Sequence, residues 1–341
     1  MEFLFVDALG KPLWMWLAFM SFVFLLLVFD LGVLHRRPHE IGFRESLYLS
    51  AFYIVLGLSF GGFVWLQFGG EAAITYWTGF VIEKSLSFDN IFVIAAIFSY
   101  FAVPRRYQHR VLVYGILGVI ILRGLMIGVG ATLVAEFSWI LYIFAGFLIV
   151  TGIRMLSASS EEYDVGSNPV LKFCYLHCRV TKELHGQRFF VRMADPASGR
   201  LVYFATPLLL ALLSVEVADA IFAVDSIPAI FAITTDPYIV FTSNLFAVLG
   251  LRALFFALSA LLDRFVYLKY ALSVILVFIG GKILLADLFG LAHIDPLWSL
   301  LATLTVLSAA IGASLWRTAG DKGRLPVVEH EIGRASCRER V

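Results

Sequence analysis

Two stretches of the chain each carry an acidic residue followed six positions later by an aspartate. Glu83 and Asp89 form the first pair, Asp219 and Asp225 form the second, and Glu216 adds a fifth acid. All five lie inside long apolar segments, where an unpaired charge costs at least about 2.5 kcal/mol at the centre of a bilayer. A shared cation would offset this cost. Structural salt bridges are the alternative, and four basic residues could form them: Lys84, Arg123, Arg252 and Lys282.

The polar groups beside these acids are oxygen donors. Asn90 and Ser226 follow the second acid of each pair and add an amide oxygen and a hydroxyl oxygen. Pro228 cannot donate to the carbonyl of Val224, so we expect the helix to kink or unwind near Asp225 and to free a carbonyl oxygen. Oxygen ligands suit hard divalent cations such as Mn²⁺, Mg²⁺ and Ca²⁺ better than Cu⁺ or structural Zn²⁺. The motifs therefore predict a divalent-cation site whose carboxylates could hold protons when no metal is bound.

Four further residues are candidates for supporting roles. Arg123 and Arg252 match each other at an offset of 129 residues, and they could pair with the acids in the empty site or brace one helix against another. Asn244 aligns with Gly115 at the same offset, so one of these two equivalent positions carries a polar side chain and the other does not. Asp30 precedes a short basic stretch and could line an access path or lie at the membrane interface.

The composition of the chain requires a membrane. Its 341 residues are 60% apolar and 15% charged, with a mean hydropathy of +0.89, which is more apolar surface than a soluble fold of this length can bury. Apolar runs of about 20 residues, long enough to cross a bilayer, recur along the chain, so they are not a signal peptide. The formal charge of +1 argues against nucleic acid as a partner. The expected partners are the lipid bilayer and, as substrate, a divalent metal cation.

Nine apolar segments fit membrane-spanning helices, which predicts an all-α membrane protein. With the N-terminus outside, almost all loop arginines and lysines fall on the inward side and Lys11 alone lies outside. Because positive residues are retained in the cytoplasm, this asymmetry predicts an N-out, C-in topology. The predicted spans are 12–34, 46–68, 73–101, 111–133, 139–157, 201–233, 238–262, 270–291 and 296–316.

Spans three to five and spans six to eight match each other as two three-helix repeats. The acidic pairs recur at an offset of 136 residues, and Gly152 matches Gly281 at the offset that relates the two arginines. The third span runs inward and the sixth outward, so the repeats are inverted, an architecture that places equivalent helices around a midplane site. The predicted divisions are a two-helix segment at 1–72, repeats at 73–157 and 201–291, a cytoplasmic loop at 158–200, a helix at 292–316 and a cytoplasmic tail at 317–330.

The predicted loop at 158–200 could tether the two repeats or regulate them. Its stretch 170–192 mixes basic and aromatic residues, as an interfacial helix does. Cys174, His177 and Cys178 form only a weak zinc pattern, and reduced cytosolic thiols explain it equally well. Residues 331–341 match a translated sequencing-adapter read-through, so we expect them to be non-native and the natural C-terminus to be missing.

The motif regions closely resemble the TerC family of membrane proteins, and within it the bacterial Alx branch. The resemblance covers about residues 12–316 and is strongest at EKSLSFDN (83–90), VEVADAIFAVDSIPAIFAIT (215–234) and TSNLFAVLGLR (242–252). The family is named for tellurium resistance and is associated with manganese homeostasis, chiefly export of Mn²⁺ from the cytoplasm. Its acidic positions fall on five residues that are all acids here: Glu83, Asp89, Glu216, Asp219 and Asp225.

The resemblance implies a multi-pass exporter of manganese in the bacterial inner membrane, with proton exchange as a natural coupling and no enzyme activity or resident cofactor. Without the resemblance, the residue types and their spacing indicate only the transport of a hard cation. A calcium or magnesium carrier and a non-transporting partner in stress or tellurium resistance are the alternatives, and assembly into a homo-oligomer is left open. An intramembrane aspartyl protease also needs two aspartates, but its usual Tyr-Asp and Gly-x-Gly-Asp contexts are absent at Asp89 and Asp225.

Overall fold

The computed structural model describes residues 6–29, 42–137, 139–157, 169–181, 183–194, 200–258, 267–288 and 296–320. These ranges are mostly helical and also contain two short antiparallel hairpins. Three predicted features lie outside the described part of the chain: Asp30, the side chain of Asp89, and residues 331–341.

The helices carry the following bounds: α1 (Leu13–Phe29), α2 (Phe43–Phe68), α3 (Gly70–Tyr100), α4 (Arg105–Glu136), α5 (Ile140–Ser157), α6 (Pro169–His177), α7 (Pro207–Phe231), α8 (Pro237–Leu249), α9 (Leu251–Leu258), α10 (Leu268–Leu288) and α11 (Pro296–Gly320). The strands β1 (Asp7–Ala8) and β2 (Lys11–Pro12) form one hairpin, and β3 (Phe190–Ala194) and β4 (Leu201–Ala205) form the other.

Six described segments are long and apolar enough to cross a membrane, so the protein is multi-pass. They are 44–68, 105–136, 207–231, 237–257, 268–285 and 296–317, and Leu13–Phe29 and Ile140–Leu156 are shorter apolar helices. Helix α3 has 31 residues but is not among the six, and the charged residues Glu83, Lys84 and Asp89 interrupt its middle. Its charged residues, those of the predicted motif among them, therefore set this helix apart from the six.

The predicted seventh span is not one continuous helix. Helix α8 ends at Leu249 and α9 begins at Leu251, with Gly250 between them. The ammonium group of Lys84 on α3 donates to the carbonyl oxygen of Ala247, in the last turn of α8, at 3.0 Å. A cation at the C-terminal end of a helix stabilises carbonyls that lack an intrahelical partner. A contact from a distant helix thus supports this break.

The predicted sixth span begins later than expected, and the all-α prediction omits a hairpin. Residues 201–205 form β4, which pairs with β3 in a register that places Arg192 opposite Tyr203. Helix α7 begins only at Pro207, the position at which proline is favoured in a helix. The run of Val202, Tyr203 and Phe204 is rich in residues that favour strands, so its apolar character indicates a strand here. The predicted interfacial helix is likewise confined to α6.

Helix α7 is not unwound at Asp225. It continues through Pro228 to Phe231, so the expectation of unwinding is wrong. The proline stands in the last turn, where the loss of one hydrogen bond is tolerated more easily than in the middle of a helix. Because α7 stays helical, Glu216 and Asp225, nine residues apart, point to opposite sides of it.

The helices around the acids pack closely against one another. Helix α3 lies along α8, α4 lies along α7, and α5 lies along α10, while α3 also contacts α7. An aromatic cluster packs α1 and α2 against α8, with Phe19, Phe60 and Phe246 at its centre. This packing brings the two acidic motifs, on α3 and α7, next to Arg123 on α4.

Candidate functional site

A buried arginine on α4 joins the acidic residues of the two motifs. The guanidinium of Arg123 donates to Glu83 Oε1 on α3 and to Asp219 on α7, at 3.3 Å to Oδ2 and 3.1 Å to Oδ1. It also donates to Asn244 Oδ1 on α8 at 2.7 Å. Arg123 and Glu83 are each 1% exposed, and Asp219 is 5% exposed. In this structure an internal cation therefore balances part of the acidic charge.

Several buried polar atoms around this arginine make no well-formed hydrogen bond to the described residues. They are Glu83 Oε2, Asn90 Oδ1, Ser226 Oγ and Asn244 Nδ2, and the Ser226 hydroxyl lies close to the Glu83 carboxylate. A buried polar atom left unpaired costs about 1–3 kcal/mol. Three of the four are oxygens, and oxygen is the ligand that hard divalent cations prefer.

Glu83, Asn90 and Ser226 line a common cavity of about 220 Å³ together with Asp225. At roughly 30 Å³ of liquid volume per water, this space can hold a partly hydrated cation. Ser87 and Arg123 complete the polar lining, and the apolar wall consists of Leu86, Met155, Phe222 and Leu276.

Asp225 enters this cavity from the α7 face that contacts α5. The hydroxyl of Thr151 on α5 donates to Asp225 Oδ1 at 3.5 Å. Asp219, six residues earlier on α7, accepts a bond of 3.4 Å from the amide of Asn90. The two aspartates of the second motif thus contact different helices, and Asn90 connects Asp219 to the cavity that Asp225 lines.

Glu216 lies apart from this group. Its carboxylate faces α4 at Gly115 and Gly118, and a Cβ added at Gly118 would overlap the carboxylate oxygens. Glu216 Oε1 has no hydrogen-bond partner in the described part of the chain. Because residue 216 lies on the opposite side of α7 from Asp225, the helical period prevents both acids from lining one cavity.

Arg252 does not repeat the arrangement of Arg123. Its guanidinium lies 3.0 Å from His109 Nε2, near the start of α4. Arg252 also lines a smaller, largely apolar cavity, to which Asn90 and Asp219 contribute the other polar groups. Asn90 and Phe222 line both cavities, so the Asn90–Asp219 contact lies where the two meet.

Among the described side chains, no three acids, histidines or cysteines converge as a metal site by themselves. Arg123 stands between Glu83 and Asp219, and the Asp89 carboxylate lies outside the description. The structure therefore brings together Glu83, Asn90, Asp219, Asp225 and Ser226 of the predicted ligands, with Arg123 and Asn244 beside them.

The motifs did not indicate the residues that α5 contributes. Thr151 and Met155 reach the site only because α5 packs against α10 and α7.

The comparisons with known proteins agree with the membrane assignment. The model of the integral membrane protein TerC family matches residues 68–322. A protein of Shigella flexneri described as a putative membrane-bound redox modulator Alx is 44% identical over 320 residues, covering 91% of this chain and 97% of its own length.

Two further relatives show similar coverage. The Photorhabdus laumondii protein of the same description is 42% identical over 320 residues, covering 91% of this chain and 97% of its own length. A Rickettsia bellii membrane protein is 44% identical over 303 residues, covering 89% of this chain and 97% of its own length. No solved structure matches the chain significantly. The family match covers most of the chain, and the chain therefore belongs to the integral membrane protein TerC family.

Proposed function

We propose that this protein exports a divalent metal cation, manganese in particular, from the cytoplasm across the bacterial inner membrane. The observation that carries the proposal is the convergence of buried oxygens on Glu83, Asn90 and Ser226, which lack well-formed hydrogen bonds, at the cavity that Asp225 also lines. The choice of Mn²⁺ and the direction of transport rest on the resemblance to the TerC family.

The charges of the described groups suit a divalent cation. Glu83, Asp219 and Asp225 carry three negative charges when ionised and Arg123 carries one positive charge, so this group of four has two negative charges in excess. Glu216, on the other side of α7, and Asp89, whose side chain lies outside the described part of the chain, are not counted in it. A divalent cation neutralises this excess. In its absence two protons would do the same, because uncompensated charge is costly in a bilayer. This balance supports exchange of protons for metal.

Arg123 is the internal competitor of the metal in this mechanism. In the structure it occupies Glu83 Oε1 and both oxygens of Asp219. A cation bound at Glu83 Oε2, Asn90 and Ser226 would repel the guanidinium and weaken its hold on both acids. Metal entry would thus change the contacts between α3, α4 and α7, the helices that must move if the site opens alternately to the two sides.

We further propose nine spans and two inverted repeats for this transporter. In the repeat alignment α3 corresponds to α7 and α4 to α8 and α9, so the packing of α3 on α8 has its counterpart in α7 on α4. Helices α5 and α10 also approach closely at glycines, with the Gly152 position facing Val277 and the Gly280 position facing the carbonyl oxygen of Ala145. Gly281, which matches Gly152 in the alignment, faces open space, so the support for a pseudo-two-fold relation comes from the packing of α3 on α8 and of α7 on α4.

Contacts between loops support the predicted assignment of loops to the same side of the membrane. Lys11 forms a salt bridge of 3.1 Å with Asp236, and both residues are predicted outside. Arg110 donates to Gln187 at 3.4 Å, and both are predicted on the cytoplasmic side. Residues that share a contact lie on the same side of a membrane, so each pair agrees with the charge asymmetry.

Topology reporters test this arrangement. Because basic loops are retained in the cytoplasm, reporters fused after Arg106, Arg179 and Arg317 should read as cytoplasmic, and reporters near Gly70 and Asp236 as external. Paired alkaline phosphatase and fluorescent protein fusions give opposite signals on the two sides. A cytoplasmic reading at Asp236 would be incompatible with inverted repeats.

The function itself is tested by the metal content of cells. Cells that produce the protein should hold less manganese under manganese load than cells that lack it, with magnesium, calcium and iron unchanged. Mass spectrometry of washed cells measures all four metals at once. A change confined to calcium or magnesium would favour the carrier alternative, and no change in any metal would favour a partner that does not transport.

A second candidate function, redox modulation, comes from the printed names of the Alx relatives. The chain has two free thiols near the end of α6, a buried one at Cys174 and an exposed one at Cys178. Burial raises the pKa of the Cys174 thiol, which lowers its thiolate fraction and hence its reactivity. This argues against Cys174 as a reactive thiolate, and metal export remains our proposal.

The double substitution Cys174→Ser, Cys178→Ser is expected to leave manganese export within about twofold of the unaltered protein, because neither thiol lines the cation cavity and substitutions away from a site usually have small effects. Manganese efflux from preloaded cells, normalised to the amount of protein in the membrane, measures the effect. Loss of efflux at normal membrane levels would show that the thiols take part, and would favour redox modulation.

A further inference from the structure

Met155 on α5 lines the same cavity as Glu83, Asp225 and Ser226. It stands one helical turn after Thr151, whose hydroxyl donates to Asp225 Oδ1 at 3.5 Å. Residues four apart on a helix share a face. The face of α5 that contacts Asp225 therefore also carries Met155, whose side chain lines the cavity.

Close packing between α5 and α10 holds this face in position. A Cβ added at Gly152 would lie 2.9 Å from the carbonyl oxygen of Ser273, so the backbone of α10 occupies the space that a side chain would need. The hydroxyl of Ser273 also donates to the carbonyl of Gly152. Met155 itself packs against the buried cluster that contains Leu272 and Leu276. Rotation of α5 away from the cavity would break these contacts.

We propose that Met155 is a specificity residue of the cation site, and that its thioether sulfur favours Mn²⁺ over Ca²⁺ and Mg²⁺. The inference rests on the proposed transport function. Calcium and magnesium ions bind through oxygen and gain little from a neutral sulfur ligand, whereas transition-metal ions accept softer donors more readily. The oxygens of Glu83, Asp225 and Ser226 alone would not separate the three cations.

Methionine also fills irregular gaps in apolar packing, and a comparison of variants separates the two roles. Leucine has a similar volume and no ligand atom, so Met155→Leu keeps the packing and removes the sulfur. Met126 on α4 packs against a different buried cluster and lines neither cavity. Met126→Leu is therefore the matched control for loss of a thioether elsewhere in the membrane.

The test is Mn²⁺ uptake into proteoliposomes that contain the purified full chain, at increasing Ca²⁺ or Mg²⁺. We expect Met155→Leu to take up Mn²⁺ but to be inhibited at about tenfold lower Ca²⁺, since one change at or beside a metal site typically alters affinity by 10–100-fold. Met126→Leu should show the same inhibition as the unaltered chain. Met155→Gln, which offers an amide oxygen, should be inhibited at still lower Ca²⁺.

The proposal is overturned if both Met155 variants take up Mn²⁺ and resist Ca²⁺ and Mg²⁺ as the unaltered chain does. It is also overturned if folded Met155→Leu takes up no Mn²⁺, because a specificity ligand is dispensable for uptake itself. Either variant suffices for the test if the other fails to fold. Absence of Mn²⁺ uptake by the unaltered chain would instead overturn the proposed function, so the two failures are distinguishable.

Discussion

Replacing Asp225 by Asn is expected to abolish manganese export while the protein still inserts into the membrane. The amide keeps an oxygen for the hydroxyl of Thr151, which donates to Asp225 in the structure. It removes one of the three negative charges that, with Arg123, leave a net charge of two for the cation. A divalent cation would then leave an uncompensated positive charge in the membrane, at a cost of several kcal/mol. Efflux of manganese from preloaded cells measures the loss.

Asp236→Asn is the matched control for this substitution. Asp236 caps α8 by accepting from the backbone amides of Tyr238 and Ile239, at 2.9 and 3.4 Å, and asparagine caps helices equally well. Export should therefore stay normal.

By the repeat alignment, Asp89→Asn should behave as Asp225→Asn does, with Glu83 and Asp219 nearly as sensitive to amide substitution. If both Asn variants export at the normal rate and membrane level, the carboxylates are structural.

Replacing Arg123 by Met is expected to lower stability without metal and to increase the stabilisation that Mn²⁺ provides. Removal of one partner of a buried ion pair costs about 3–5 kcal/mol, and here two buried acids, Glu83 and Asp219, lose their counter-charge. A bound divalent cation replaces that charge, so ligand binding should restore more stability than in the unaltered protein. Thermal unfolding of the purified protein, with and without Mn²⁺, measures both effects as shifts in Tm.

Arg252→Met provides the comparison, because Arg252 is also buried and its guanidinium lies 3.0 Å from His109 Nε2, whereas Arg123 binds Glu83 and Asp219. Loss of Arg252 should lower Tm with little change in the shift that Mn²⁺ produces. Arg123→Lys should fall between the two, since lysine keeps the charge but not the planar fork that reaches two carboxylates. Equal Mn²⁺ shifts in Arg123→Met and Arg252→Met would contradict the role of Arg123 as the competitor of the metal.

Much of the site was predictable because the acids stand out against apolar surroundings. The spacing in each motif identified Glu83, Asp219 and Asp225 together with Asn90 and Ser226, and the structure places these side chains around Arg123 and one cavity. Pairing of Arg123 with the acids was one of two alternatives, and the contacts favour it. The family assignment followed from the same motifs and is confirmed.

Other features depend on tertiary contacts that no local pattern contains. The break at Gly250 is stabilised by Lys84, whose sequence position is more than 160 residues away. Hydropathy could not separate the apolar strand β4 from the apolar helix α7 that follows it, because a short apolar run fits either element. The sequence also placed Glu216 with the other acids, although the helical period directs it toward Gly118.

The most direct test of the central claim is manganese flux in proteoliposomes that contain the purified full chain, with a pH-sensitive dye to follow protons. We expect Mn²⁺ uptake above that of empty vesicles, with protons moving in the opposite direction, and no uptake by the Asp225→Asn variant. Mn²⁺ flux equal to that of empty vesicles, or equal flux through the unaltered and Asp225→Asn proteins, would contradict it.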